Sequence, residues 1–426
     1  MDIKSSKVKN GLTGAFEIPS DKSISHRAVM FSSIAKGKSL IKNFLYAADC
    51  RSTVGLFKSL GVEINFVDNN TLEVRSDGRL KATNLPLDCG NSGTTMRLVS
   101  GILSGQNFNS TLIGDESLSK RPMKRIIDPL MLMGADIFSK DNKAPLQITG
   151  KQLEGIEYSS PIASAQVKSS ILLAGLRANG TTKVIEPYVS RNHSEIMLEY
   201  MGANISTEGY SVSIEKSELE AKDIVIAGDI SSAAFFIVAG LIVPNSDITI
   251  KNVGLNPTRT GIIDVVLRMG ADIEILDKRI ISGEEVGDLR VKYSSNLKSC
   301  NINGADIPRL IDELPIIALL ATQAEGVTKI TDAQDLRNKE ADRITAVATE
   351  FKKIGLQIEE LQDGFIIEGR QQVLGNTDVE VYHDHRLAMT LYIAGLIANK
   401  EILVKEFQWV DISMPEFLSI IEDLKK

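Results

Sequence analysis

The sequence predicts an α/β (α+β) architecture of two domains, each made of three repeated sheet-plus-buried-helix units around internal helices. Two recurring phrases and six short strands carry that prediction. The first phrase is a helix-like stretch ending in Gly, a small or aliphatic residue, any residue and Ile. It reads FKSLGVEI at Phe57–Ile64, LMLMGADI at Leu130–Ile137 and LEYMGANI at Leu198–Ile205. It recurs as VLRMGADI at Val266–Ile273 and FKKIGLQI at Phe351–Ile358. Its glycines, Gly61, Gly134, Gly202, Gly270 and Gly355, lie roughly seventy residues apart, a period that signals a repeat. A helix ends there, Gly takes the left-handed conformation that a Cβ resists, and a strand begins.

The second phrase alternates with the first. A polar loop leads into a helix of small residues at six places. These are SDKSISHRAVMFSSIA, GNSGTTMRLVSGIL, SAQVKSSILLAGL, GDISSAAFFIVAGLI, DELPIIALLAT and DHRLAMTLYIAGLI. They start near Ser20, Gly90, Ser164, Gly228, Asp312 and Asp384. Small residues all round let a helix be enclosed on every side. A short strand follows each: SLIKNF, STLIGD, TKVIEP, DITIKN, TKITDA and EILVKE. Each unit therefore reads strand, buried helix, strand, outer helix, strand, and the sixth lacks the Gly-x-x-Ile phrase. There is no GxGxxG after a strand and no GxxxxGK[ST], so the nucleotide-binding signatures are absent.

Composition narrows the function classes. The 426 residues are 43% hydrophobic and 24% charged, ordinary values for a globular chain with large cores. A net charge of −7 argues against nucleic acid and membrane-surface partners, so an anion site would need a local cluster of Lys and Arg. Cys50, Cys89 and Cys300 are far apart, without CxxC or a histidine at metal spacing, which predicts reduced thiols and no metal. Met1 to Asn10 is polar, so no leader is expected, and the apolar run Ala233–Val243 is too short to cross a bilayer. A cytoplasmic enzyme is the expectation.

The polar loops hold the candidate site. Helix N-termini expose N–H groups and partial positive charge, and they bind anions readily. Lys22, Ser23 and Arg27 stand at the first such end, and GNSGTTMR brings Asn91 and Gly93 to the second. SKRPMKR at Ser119–Arg125 packs four cations into seven residues, with Pro122 extending the chain at Arg121. SAQVKSS offers Ser164 and Gln166, with the serine also suited to an N-cap, and SRNHSE adds Arg191 and His193. Asp312 is an acid at a helix start, where an N-cap is the plain alternative. LRNKEADR at Leu336–Arg343 holds Lys339, Glu340 and Arg343, the last two spaced to share the face of an exposed helix. DHR at Asp384–Arg386 opens the sixth buried helix.

Taken together, PSDKSISHR, GNSGTTMR, RPM, SAQVKS, LRNKEADRI and DHRLAM resemble the 5-enolpyruvylshikimate-3-phosphate synthase family, in order, from about Pro19 to Pro415. The resemblance implies the enolpyruvyl transferase fold, with domains of residues 20–226 and of 1–19 plus 227–426 and an active site in the cleft between them. It implies transfer of the enolpyruvyl group of phosphoenolpyruvate to the 5-hydroxyl of shikimate 3-phosphate, releasing phosphate, with no cofactor. By the same resemblance Lys22, Ser23, Arg27, Ser164, Ala165, Gln166, Arg191, Asp312 and Lys339 would hold shikimate 3-phosphate. Lys22, Gly93, Arg121, Gln166, Arg343 and Arg386 would hold phosphoenolpyruvate. Asp312 is the candidate base for the attacking hydroxyl. Glu340, assisted by Lys22, is the candidate proton donor to carbon; burial would raise its pKa and Lys339 and Arg343 would lower it.

Two departures stand out. Ile412-Ser413-Met414-Pro415 occupies the place of the Lys-Thr-Phe-Pro of the best-known members. SAQVK, RNHSE and NPTR (Asn256–Arg259) resemble the glyphosate-tolerant subclass, although Ser20 stands where that subclass often has Gly. The rival readings are a UDP-sugar enolpyruvyl transferase, an anion-binding protein on the same scaffold, and a related RNA 3′-phosphate cyclase. The absence of Cys from Ser117–Arg125, the presence of Asp312, Glu340 and Lys22, and the net charge of −7 weigh against them in turn. Partners are expected to be small anionic substrates, and the chain a monomer.

Overall fold

The structure is a computed structural model and describes residues 1–426. The chain divides into two units. The N-terminal unit comprises Ser20–Ala227 together with Ile281–Glu284. The C-terminal unit comprises Met1–Pro19, Gly228–Ile280 and Glu285–Lys426.

In the N-terminal unit the helices are α1 (Lys22–Ile34), α2 (Ala48–Ser59), α3 (Gly93–Ser104), α4 (Glu116–Lys120), α5 (Lys124–Leu132), α6 (Ala165–Gly175) and α7 (His193–Tyr200). In the C-terminal unit they are α8 (Ile230–Ile242), α9 (Gly261–Arg268), α10 (Ile307–Leu310), α11 (Leu314–Gln323), α12 (Arg343–Lys353), α13 (His385–Ile397) and α14 (Phe417–Leu424). The six helices of small residues are α1, α3, α6, α8, α11 and α13, and each is largely buried. Every residue of α8 is buried, which its all-round apolar sequence ISSAAFFIVAGLI allows. None of these helices is long and apolar enough to cross a membrane.

Four of the six buried helices link two parallel strands. Leu87–Asp88 and Asn109–Ile113 flank α3, Glu157–Ser159 and Thr182–Ile185 flank α6, and Asn301–Ile302 and Val327–Ile330 flank α11. Thr377–Val379 and Ile402–Val404 do the same for α13. After every buried helix but α13 a hairpin strand pairs antiparallel with the strand that follows the helix, and after α13 Ile3–Ser5 takes that place; the sheets have three to five strands. The outer helices α2, α5, α7, α9 and α12 run into Gly61, Gly134, Gly202, Gly270 and Gly355, and all five have positive φ, between 81° and 93°. The repeated phrase is thus a helix stop with a physical cause: an L side chain there would clash with its own backbone.

Two repeats borrow a strand. Thr13–Glu17 pairs in parallel with Asp247–Gly254 beside α8, and Ile224–Val225 pairs in parallel with Ala35–Lys42 beside α1. In the C-terminal unit the amide of Asp229 bonds the carbonyl of Pro19, and in the N-terminal unit the amide of Asp21 bonds the carbonyl of Ala227. Close packing of the buried helices depends on glycine at one place above all. A Cβ on Gly101 of α3 would stand 2.1 Å from the carbonyl oxygen of Ser170 in α6.

Candidate active site

In the N-terminal unit three helix starts present polar side chains. Asp21 caps α1, its Oδ1 accepting from Ile24 N at 2.8 Å. Lys22 follows directly and its Nζ lies 3.3 Å from Asp49 Oδ2, at the start of α2. Arg27 is buried, and its guanidinium is spread over three segments. It donates from Nη1 to the Ser23 carbonyl at 3.0 Å, from Nε to Ser194 Oγ at 2.7 Å and from Nη2 to Ser169 Oγ at 3.1 Å. Ser92, not Asn91, caps α3. Four residues into α3, Arg97 donates from Nη1 to Gln166 Oε1 at 2.6 Å, and Gln166 Nε2 donates to Thr94 Oγ1 at 3.1 Å.

Gly93 sits against two guanidinium groups. A Cβ there would be 3.0 Å from Arg97 Nη1 and 3.6 Å from Arg121 Nη1. Arg121 is aimed by Asn91, whose Oδ1 accepts from Nη2 at 2.9 Å, and by Ser117 Oγ at 3.3 Å. The cation run therefore splits. Lys120 pairs with Glu116 and Lys124 with Asp128 on the exposed surface, while Arg121 turns toward Gly93. Ser164 stands at the N-cap of α6, but its side chain makes no capping bond; its amide donates to Glu186 Oε1 at 3.0 Å. Ala165 is the first residue of α6, and Arg191 lies half-buried in the segment just before α7.

In the C-terminal unit three helix starts meet. Asp229 caps α8, and Ser231 Oγ donates to Glu313 Oε1 at the start of α11. Arg386 Nη1, in the first turn of α13, is 3.9 Å from the same Glu313 oxygen. Arg259 is buried beside them and bonds Asp229 and Ser231. Arg343 is the hub. Its Nε donates to Asp384 Oδ2 at 2.7 Å, its Nη2 to Glu340 Oε2 at 2.7 Å and its Nη1 to Asp312 Oδ1 at 3.4 Å. Lys339 Nζ reaches the same Asp312 oxygen at 3.0 Å. Burial by itself would lower the Arg343 pKa, but Asp384, Glu340 and Asp312 outweigh it and hold the pKa above the ordinary arginine value.

Three expectations are corrected here. Asp312 is not the N-cap of α11; Glu313 holds that position and Asp312 turns to Lys339 and Arg343. Glu340 does not share a helical face with Arg343, because the helix begins at Arg343 behind its cap Asp342. Arg343 is not on an exposed helix either: only 2% of its side chain is accessible, a burial that its carboxylates make tolerable. His193 is buried, with Nδ1 at 2.6 Å from Glu284 Oε1.

Sequence reasoning overlooked Arg97, Glu313 and the buried trio Lys168, Glu186 and Glu195. The signal for Arg97 was its i+4 spacing from Gly93. The signal for Lys168 was a lysine inside a helix otherwise built to be buried, which demands a charged partner. No group of three or more His, Cys, Asp or Glu side chains is gathered to hold a metal ion.

The fold so described matches the crystal structure of the enolpyruvyl transferase NikO from Streptomyces tendae with a TM-score of 0.81. The match covers 99% of this chain and 97% of that one at 18% identity, which establishes the fold. The structure of EPSP synthase from Acinetobacter baumannii matches more fully, with a TM-score of 0.89 and 41% identity over 99% of this chain and 98% of that one. The 3-phosphoshikimate 1-carboxyvinyltransferase of Thermodesulfovibrio yellowstonii is 54% identical over 421 residues, covering 97% of this chain and 98% of the relative. The family model for EPSP synthase (3-phosphoshikimate 1-carboxyvinyltransferase) matches residues 7–421. The chain belongs to the EPSP synthase family. It is an enzyme of the shikimate pathway that transfers the enolpyruvyl group of phosphoenolpyruvate to shikimate 3-phosphate.

Proposed function

We propose that this transfer is carried out by the two sets of residues described above, each unit supplying part of one site as the family resemblance implies. Lys22, Ser23, Arg27, Ser164, Ala165, Gln166 and Arg191, with Asp312 and Lys339, hold shikimate 3-phosphate. Lys22, Gly93, Arg121, Gln166, Arg343 and Arg386 hold phosphoenolpyruvate. Planar guanidinium groups suit its carboxylate and phosphate, and the gathered cations offset the repulsion between two anionic substrates.

The residue types fit an addition followed by an elimination. Asp312 accepts the proton of the 5-hydroxyl as that oxygen bonds C2 of phosphoenolpyruvate, while Glu340, with Lys22, gives a proton to the methylene carbon. The tetrahedral intermediate then expels phosphate as Glu340, left as a carboxylate by the addition, takes a proton back from the methyl group, which restores the double bond. The observation that carries this assignment is the Arg343 hub. One buried guanidinium touches both Asp312 and Glu340, so the base and the acid of the reaction stand on either side of an anion-binding group.

Phosphate release from phosphoenolpyruvate tests the reading. Release is expected only when shikimate 3-phosphate is also present. Asp312→Ala and Glu340→Ala should each lower kcat by on the order of 10²–10⁴-fold, the range for a lost general acid or base. Arg27→Ala should raise the Kd for shikimate 3-phosphate with a smaller effect on kcat. Full turnover by the Asp312→Ala and Glu340→Ala variants would refute the assignment. The same reading takes the protein to be a monomer working in the cytoplasm on small anions, and light scattering of the purified chain tests the first part.

A further inference from the structure

Helix α6 carries a single lysine in a row of small and apolar residues. Lys168 is 2% exposed. Its Nζ lies 2.8 Å from Glu186 Oε2, 2.7 Å from Glu195 Oε1 and 3.3 Å from the carbonyl oxygen of Ser190. Both glutamates are 5% exposed, so the trio is closed to solvent and to ligand alike. Burial is the largest single influence on Lys168 and pulls its pKa down. Glu195 and Glu186 together outweigh it and hold the pKa above the ordinary lysine value. Lys168 is therefore a cation, kept where an unpaired one would be expelled.

Glu186 has a second set of contacts. Besides Lys168, its carboxylate accepts from the backbone amide of Ser164 at 3.0 Å and from that of Ser190 at 3.3 Å. Ser164 is the residue ahead of Ala165 and Gln166 at the start of α6, and Ser190 is the residue ahead of Arg191. Glu195 stands in the first turn of α7 beside Ser194. Ser194 Oγ lies 2.6 Å from Ser169 Oγ and accepts from Arg27 Nε. One ammonium thus ties together the start of α6, the loop that ends at Arg191 and the start of α7. Each of these segments carries or holds a residue assigned above to shikimate 3-phosphate.

We propose that Lys168, Glu186 and Glu195 form a positioning network that sets the shikimate 3-phosphate contacts before the ligand arrives, with Glu186 fixing two of the binding segments at once. The proposal rests on the assignment of that half of the site to shikimate 3-phosphate. Its physical content is pre-organisation. Segments already held in place lose less conformational freedom on binding, so affinity for this substrate depends on groups that never touch it.

Calorimetric binding of shikimate 3-phosphate, with steady-state kinetics for both substrates, tests this. The wild-type protein comes first, and no binding there would overturn the assignment itself. Glu186→Gln is the central variant, because Lys168 and Glu195 remain as a neutral pair and folding is retained. Its amide cannot accept on both sides, so one backbone N–H is released. The Kd for shikimate 3-phosphate should rise roughly 10- to 100-fold, the cost that loss of an outer partner carries at metal ligands. The KM for phosphoenolpyruvate, with the other substrate saturating, should change far less. Lys168→Met should show the same split, and Glu195→Gln a smaller one. The proposal is overturned if folded Glu186→Gln binds shikimate 3-phosphate as the wild type does. It is equally overturned if both substrates weaken by one common factor, which is the mark of general loosening.

Discussion

His26 shows how its surroundings keep a buried titratable side chain neutral. It follows Lys22 by one helical turn on α1, and its Nδ1 is 2.7 Å from Thr53 Oγ1. Thr53 Oγ1 is 2.7 Å from Thr95 Oγ1, so the contact runs on from α1 through α2 to α3. Burial, first, and then the nearby charges of Lys22 and Arg27 push its pKa down to about 3. The imidazole is neutral in the folded protein, whereas in the unfolded chain it would take a proton below about pH 6.5. The unfolded state therefore binds more protons between those two values, and stability must fall as pH drops from 6.5 toward 3. Between pH 7 and pH 4 this one group should cost about 3 kcal/mol. Urea unfolding at the two pH values tests it: His26→Asn should lose less stability over that interval than the wild type. Equal losses would mean that other groups set the acid response. Nothing in the letters SISHR shows that this histidine is buried among cations; packing against α2 and α3 decides that.

At the scale of elements, the buried helices are held close by residues without side chains. Gly101 lets α3 lie against α6, and the rung formed by Arg97, Gln166 and Thr94 spans the same pair. Gly101→Ala would force a methyl onto the Ser170 carbonyl, so α3 and α6 must separate. The expected loss is about 1–3 kcal/mol or more, the usual cost of overpacking. The midpoint of urea unfolding reads it, and an unchanged midpoint would show that the helices yield freely. Most elements were legible beforehand. The five glycines marked helix ends because the left-handed φ they require is a local property of the chain. The six small-residue helices and the strands after them were legible for a similar reason, since periodicity and bulk are written in neighbouring letters. The start of α11 was not, because whether Asp312 or Glu313 serves as the N-cap depends on Lys339 and Arg343, which arrive from a distant segment.

For the molecule as a whole, the pairing of the first two strands is what local pattern could not show. Ile3–Ser5 pairs with Ile402–Val404, and Thr13–Glu17 pairs with Asp247–Gly254, so the first strands complete sheets of the C-terminal unit. Ser5 Oγ also bonds the carbonyl of Tyr392 within α13. Deleting residues 1–17 should therefore loosen the C-terminal unit selectively. Hydrogen exchange should speed up across 247–254, 402–404 and α13 while α3 and α6 keep their protection. Uniform acceleration in both units would contradict this division of stability.

The sequence by itself determined the repeat, the small-residue helices, their glycine stops and the family, because each of these is carried by residues close together in the chain. Tertiary structure alone decided how the cations are partnered. Arg121 turns to Gly93 while Lys120 and Lys124 pair at the surface; Arg343 gathers three carboxylates; and Lys168 pairs with Glu186 and Glu195. The reason is that a buried charge is permitted only where its partners converge, and those partners come from segments that only the fold brings within bonding distance.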